Sequence, residues 1–275
     1  MAWRVFGQYL HDCLWICELR RFAQKLAVCQ SDDIPPIQTD RPSNSFSPSL
    51  TAKGYLQVES GLMAEHNAGM LFFTTPTVLV KYGVNKKFEL RLQSGLNWDE
   101  SSGKTLGIPP LMLGIKSSLV DEKGIVPQVS FIGHISLDEV ATGNMKRKYI
   151  APDFRFAFQH TLSKKFSLLY NLGMLWDGFN ASPQFNYTMY LGYSVSNRLS
   201  CFAEIYGNKD NTSTFNHYAD AGFTLLMNKN SLIDLYGGLN IAATPVTNVA
   251  SYYFLSCGYS FRLNTSRKVE TIFVR

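Results

Sequence analysis

The sequence predicts an all-β protein, an antiparallel up-and-down transmembrane β-barrel of about 12 strands. Three observations predict this fold: stretches of alternating polarity, links of alternating length, and charged residues opposite each apolar row. Residues 153–160, DFRFAFQH, show the pattern, since three phenylalanines alternate with Asp153, Arg155 and Gln159. Successive strand side chains point to opposite faces. A soluble sandwich would bury the apolar face, whereas a membrane barrel turns it toward lipid.

The chain begins with an atypical leader, residues 1–30, whose apolar stretches are all interrupted by charged residues. It therefore lacks the apolar core of a secretory signal, and a misplaced start is the interpretation that we favour. Cys13 and Cys17 could share a helix face, but no further ligands follow at suitable spacing, so no metal site is expected. No apolar run approaches the roughly 18 residues of a membrane-spanning helix.

Residues 31–53 form a polar segment that contains four prolines. This composition predicts an irregular segment, neither strand nor helix. Two interpretations remain open. The segment is either a disordered periplasmic tether or a plug that folds back into the barrel mouth, where Asp40 and Arg41 would pair with lumen charges.

Alternating stretches fill residues 54–263 and predict the transmembrane barrel; residues 264–275 form a C-terminal tail. The predicted strands are 54–63, 71–82, 87–97, 108–119, 125–137, 150–161, 165–176, 183–194, 198–207, 217–227, 231–240 and 251–263. Links after even strands are short, as in GVNK and LSKK, whereas most others are longer and polar, as in NWDESSGKTL. An even strand count with both ends on the short-turn side is typical of outer-membrane barrels.

The two faces of the predicted strands differ in polarity. One parity is apolar and includes Leu90, Leu113, Phe154, Phe156, Phe158, Leu172 and Leu255. Twelve such strands in water would leave an unfilled cavity or a large apolar surface, so we assign this face to lipid. The other parity would line the lumen with Glu59, Lys81, Glu89, Arg91, Lys116, His134, Asp153, Arg155, Glu204, Asp220, Asp234 and Arg262.

The predicted lumen charges nearly balance. We therefore expect ladders of paired charges across neighbouring strands, a restricted interior and weak ion selectivity. Eight glycines share the lumen parity, which we interpret mainly as barrel curvature with room for long neighbours, a ligand path being the alternative. Aromatic residues near strand ends predict interfacial girdles: Tyr82, Trp98, Tyr149, Trp176, Tyr193, Tyr206, Tyr252 and Tyr253.

Several stretches also carry a family resemblance: IQTDRPSNSFSP, LVKYGVNKKFELRL, DFRFAFQHTLSKKFSLLYNLG, CFAEIYG, YADAGFTLLMNKNSLIDLYGG and YFLSCGYSFRL. In order and spacing, these stretches resemble the bacterial outer-membrane barrel family of transporters assigned to the meta-pathway of phenol degradation. The resemblance covers residues 37–263 and implies a membrane barrel. Members usually begin with a clean signal peptide and end at an aromatic residue of the last strand, and this chain departs from both patterns.

The sequence as a whole predicts a monomeric channel or transporter-like protein of the cell outer membrane, for small solutes that would be hydrophobic or aromatic if the family name applies. Its expected partners are outer-membrane lipid, the barrel-assembly machinery and an unidentified small-molecule solute. No cofactor is expected, and because the formal net charge of +5 is scattered, no nucleic acid either.

Two other classes of function stay open at this point. The longer loops suit a structural or adhesive barrel. A less favoured alternative is an outer-membrane lipid hydrolase, with His134 near Ser130 and Ser136, or with His160 at a strand end. The spacing enforces no arrangement of acid, base and nucleophile, so we predict no catalytic residue and no enzyme.

Overall fold

The computed structural model describes residues 34–67, 70–99, 105–209, 215–242 and 252–265. The leader and residues 266–275 of the predicted tail lie outside the described residues. The strands are β1 (Tyr55–Asn67), β2 (Met70–Asn85), β3 (Phe88–Ser94), β4 (Asn97–Asp99), β5 (Thr105–Gly107), β6 (Leu111–Val120), β7 (Gln128–Leu137), β8 (Pro152–Thr161), β9 (Phe166–Leu175), β10 (Gln184–Ser194), β11 (Leu199–Lys209), β12 (Asn216–Asn228), β13 (Ser231–Ala242) and β14 (Tyr253–Asn264). A 3₁₀ turn, Gly143–Met145, lies between β7 and β8.

The sheet closes on itself because β1 pairs antiparallel with both β2 and β14. Twelve strands form the closed wall, and each pairs with its neighbours in chain order apart from β4 and β5. These two short strands form a hairpin that touches the wall where Thr74 of β2 pairs with Asn97. The predicted 12-stranded antiparallel barrel is confirmed, and the hairpin occupies the long loop predicted after the third strand.

Several predicted strand boundaries are wrong, among them the end of β1 and the start of β7. The strand expected to start at residue 125 starts at Gln128, because Lys123 and Val126 exchange two backbone hydrogen bonds of 3.0 and 3.1 Å and close a turn. Gly124 in this turn has a φ of 61°, a conformation that glycine adopts without strain. Ile125 is consequently 93% exposed rather than part of the wall.

The outer face of the wall is apolar and exposed. Phe156 is 38% exposed, and its ring lies 5.4 Å from that of Phe131 on the neighbouring strand. Phe158 stacks on Tyr170 at 4.8 Å on the same outer surface. An exposed apolar belt on a closed barrel is the arrangement of a protein whose wall faces hydrocarbon. Among the described residues, no helix has the length and apolar character needed to cross a membrane.

Much of the interior of the barrel is polar. The largest side chains that are fully buried include Lys81, Lys116, Gln57, Glu59 and Glu89. Charged residues are almost never fully buried in a soluble protein unless they are paired. The interior therefore has to supply partners for these groups, and those partners define the candidate site.

Candidate functional site: the occupied lumen

Residues 34–54, which we call the plug, enter the barrel from its short-turn end and return to it. Near the entrance, Ile37 donates its N–H to the carbonyl of Lys229 in the β12–β13 turn at 2.9 Å. At the exit, the Gly54 N–H donates to the Gly83 carbonyl of β2 at 2.8 Å. Between these points the described chain forms no helix or regular strand, so its backbone groups bond to side chains of the barrel wall.

Asp40 lies at the centre of a buried ion cluster. Its carboxylate lies 2.8 Å from Arg91 Nη1, 2.9 Å from Lys116 Nζ and 3.4 Å from Lys81 Nζ. The Asp40 N–H donates to Glu59 Oε2 at 3.0 Å, and Glu59 also pairs with Lys81. Burial alone would raise the pKa of the Asp40 carboxyl, but the three cations hold this pKa well below its usual value of 3.8.

Arg41 lies in a notch that two glycines leave in the wall. Gly61 of β1 and Gly258 of β14 are directly opposite each other, and a Cβ on Gly61 would overlap the guanidinium. Arg41 donates to both carboxylate oxygens of Asp234, at 2.9 and 3.3 Å, and to Ser256 Oγ at 3.0 Å. A bidentate arginine–carboxylate pair fixes orientation as well as charge. These two glycines therefore provide room for a long neighbour.

The tip of the plug contacts the opposite wall. Phe46 donates its N–H to Asn171 Oδ1 at 2.6 Å and accepts from Asn171 Nδ2 at 3.0 Å, so one side-chain amide satisfies both backbone groups. The Asn44 N–H donates to Glu204 Oε2 at 2.8 Å, and Asn44 Nδ2 donates to Asp220 Oδ2 at 3.2 Å. Ser45 Oγ also donates to Glu204.

The ladder prediction is wrong for Glu204 and Asp220. These two acids are direct cross-strand partners on β11 and β12, so two carboxyl groups face each other. The ion pairs of the described ranges include neither of them. Elsewhere, Asp40 and Arg41 of the plug take part in four of the lumen ion pairs. Lys81 with Glu59 and His134 with Asp153 pair across neighbouring strands, as the ladder prediction expects.

The remaining predicted lumen residues are placed as follows. Asp153 is bonded by Arg155 Nε at 3.4 Å and lies 3.3 Å from His134 Nδ1. Glu89 pairs with Arg91 and accepts the Thr51 N–H at 2.6 Å. Arg262 donates to the Pro35 carbonyl at the short-turn end.

The serines suggested for a hydrolase bond to other groups. Arg91 Nε donates to His134 Nε2 at 3.1 Å, so both ring nitrogens of His134 have partners other than serine. Ser130 Oγ donates to the Pro48 carbonyl at 2.6 Å, and Arg147 donates to Ser136. This geometry favours a structural role for His134 in holding Asp153 and Arg91.

A cluster of inward-facing aromatic residues was not predicted. Phe202, Tyr236 and Phe254 are buried together, with Met63, Tyr190 and Tyr252 packed against them. Tyr206 stacks on Tyr218 at 5.1 Å across β11 and β12. The girdle assignment of Tyr206 and Tyr252 is therefore wrong. The sequence signal was available, because Tyr206 has the same parity as Glu204, and Tyr252 the same parity as Arg262.

Other polar residues on the lumen parity also contact the plug but were absent from the predicted set. Gln57 Nε2 donates to the Gln38 carbonyl at 2.8 Å, and Thr188 Oγ1 lies 2.6 Å from Ser45 Oγ. They are uncharged, so a search for charged inward residues passes over them.

Comparison with known proteins identifies the family. The profile of the family described as "Putative MetA-pathway of phenol degradation" matches residues 39–254. This chain belongs to that family. The match confirms the resemblance drawn from the sequence. In this member of the phenol-degradation family, the matched range includes Asp40 and Arg41 of the plug and most of the barrel. Comparison with curated proteins gives no match.

Solved structures similar to this family member are outer-membrane barrels. An outer membrane channel from Pseudomonas putida F1 has a TM-score of 0.58 and 11% identity, over 81% of this chain and 100% of that chain. The NanC porin has a TM-score of 0.54 and 8% identity, over 75% and 98% of the two chains. The KdgM porin has a TM-score of 0.50 and 10% identity, over 74% and 98%. At these identities the likeness concerns the fold.

Proposed function

We propose that this protein is a monomeric outer-membrane channel for small apolar or aromatic solutes, closed in the described state by residues 34–54. The observation that carries the proposal is the pairing of Asp40 and Arg41 with buried charges on different parts of the barrel wall. A chain segment held at several points in a lumen restricts passage, so transport requires the segment to move. The outer-membrane location and an interaction with the barrel-assembly machinery belong to the same proposal.

The solute class rests on two supports. The family description refers to phenol degradation. The inner wall carries the aromatic cluster of Phe202, Tyr236 and Phe254, and aromatic rings bind other rings by offset or edge-to-face contact. A pore for inorganic ions would gain little from such a surface. The inner wall thus supports aromatic solutes over inorganic ions.

The closing role is tested by deleting residues 34–52 and reconstituting both proteins in planar lipid bilayers. We expect a larger single-channel conductance for the deletion variant, because water replaces the plug. Equal conductance would remove the plug from the proposal.

The solute class is tested in bacterial cells that lack their own general porins. Cells that contain the full chain should accumulate labelled toluene faster than cells without it, whereas labelled arabinose should enter both at the same rate. A faster entry of arabinose alone would overturn the solute assignment and leave the closing role standing.

A further inference from the structure

The carboxyl pair of Glu204 and Asp220 differs from the other lumen charges. Asp40 balances the cations of β2, β3 and β6, and Arg41 balances Asp234, but the ion pairs of the described residues leave Glu204 and Asp220 without a cation. Both side chains are buried, with exposures of 2% and 5%. Two adjacent buried carboxyl groups cannot both stay ionised without compensation, so the pair favours either a shared proton or a positively charged partner.

Among the described residues, the groups outside the pair that donate hydrogen bonds to it belong to the plug. Asn44 supplies its N–H and Nδ2, and Ser45 supplies its hydroxyl. Asp220 Oδ1 is buried and has no hydrogen-bond partner among the described residues. The pair can therefore accept a further hydrogen bond that neither the barrel nor the plug supplies. Its donors from the plug are neutral, and they leave when the plug moves for transport.

An aromatic surface lies beside the carboxyl pair. Tyr206 and Tyr218 are direct cross-strand partners two residues from Glu204 and Asp220 on the same strands, so the rings occupy the next inward position. They stack with a centroid distance of 5.1 Å and an interplanar angle of 15°. On the other side, Tyr190 is the cross-strand partner of Glu204. Rings near carboxylates attract organic cations through their π faces.

We propose that Glu204 and Asp220, together with the rings of Tyr206 and Tyr218, bind the ammonium group of an organic amine. The ammonium N–H groups donate to the carboxylates, including Asp220 Oδ1, and the apolar part of the amine packs along the two rings. The amine replaces the donors of Asn44 and Ser45, so its binding competes with docking of the plug tip.

This inference deepens the proposed function. It rests on that function because the amine reaches the carboxyl pair only if the lumen admits solutes. The two fail separately, because binding to the purified barrel requires no passage across a membrane. Loss of solute uptake with intact amine binding contradicts the channel, and intact uptake with no amine binding contradicts this site.

The test measures binding of phenethylamine and of its neutral isostere phenethyl alcohol to the full chain, folded in detergent, by titration calorimetry. We expect the alcohol to bind at least about tenfold more weakly than the amine, because hydrogen bonds to charged groups are stronger than neutral ones. Equal affinities, or no binding of the amine, overturn the proposal. Displacement of the amine by an equal concentration of sodium or magnesium assigns the site to inorganic cations and also overturns it.

Variants locate the binding. Asp220→Asn and the double variant Glu204→Gln/Asp220→Asn keep the side-chain shapes and should weaken amine binding at least about tenfold without changing alcohol binding. Asp121→Asn is the control, since this acid lies 82% exposed in the β6–β7 turn. Circular dichroism checks folding, and the single variant decides the outcome if the double variant does not fold. Unchanged amine affinity in Asp220→Asn contradicts the assignment.

Discussion

Replacing Asp40 by Asn should release the plug. The substitution keeps the size of the side chain but removes the only plug carboxylate that contacts Arg91, Lys116 and Lys81 within the described ranges. Each of these three cations is at most 3% exposed. In the variant, only Glu59 and Glu89 among the nearby described acids balance their charge. One buried positive charge then has no counter-charge.

The size of the effect follows from that imbalance. Removing one partner of a buried ion pair costs about 3 to 5 kcal/mol, because the other charge stays desolvated. Here the plug can leave and water can enter, so the cost shifts the docking equilibrium rather than unfolding the barrel. At about 1.4 kcal/mol per tenfold change, docking should weaken on the order of 10²-fold or more. Asp121→Asn removes a carboxylate from an exposed pair with Lys87 and should change docking by less than about 1 kcal/mol.

Single-channel recording in planar bilayers measures the effect as the fraction of time spent in a high-conductance state. We expect Asp40→Asn to raise this fraction strongly, the control to match the parent protein, and deletion of residues 34–52 to set the upper limit. An open fraction for Asp40→Asn equal to that of the control, in a barrel shown to be folded by its electrophoretic mobility, would refute the proposed role of the ion cluster.

Three further predictions concern the notch, the outer face and the balance of charge. Gly61→Ala should raise the open fraction in the same recordings, because its Cβ overlaps the Arg41 guanidinium, whereas Gly133→Ala, on the outer face, should not. Phe156→Arg should reduce the free energy of unfolding from bilayers by about 2 to 4 kcal/mol in urea titrations, because this is the cost of a cation near the bilayer midplane. A smaller loss of stability would contradict the lipid-facing assignment. Reversal potentials of the deletion variant in a salt gradient should show weak ion selectivity, and a strong preference for either sign would contradict the near balance of lumen charge.

Strand alternation explains why the barrel was predictable from the sequence. The face on which a residue lies depends only on its parity within a strand, so the inward positions of Lys81, Lys116 and Glu204 follow from local spacing. Chain closure followed from the even count and the alternating link lengths. The β4–β5 hairpin did not, because it is an excursion of one long link with strands of three residues each.

The contacts within the lumen were less predictable. A segment without regular structure has no period, so its proline content predicts irregularity but not its path. Cross-strand register decides that Glu204 faces Asp220, and spacing along one strand does not specify register. Tyr206 was assigned to a girdle because it lies near a strand end, although its parity, shared with Glu204, indicated the lumen.

The adjacent residues Asp40 and Arg41 have opposite charges. Each faces a part of the wall that has an excess of the charge opposite to its own. Around Asp40, three wall cations stand against two wall acids, an excess of one positive charge. Around Arg41, Asp234 pairs with no other cation among the described residues, an excess of one negative charge. Each plug residue cancels one of these excesses, so these two parts of the wall are balanced in charge only with the plug in place. Glu204 and Asp220 receive only neutral donors from the same segment, and for this reason the proposed amine site lies at this part of the wall.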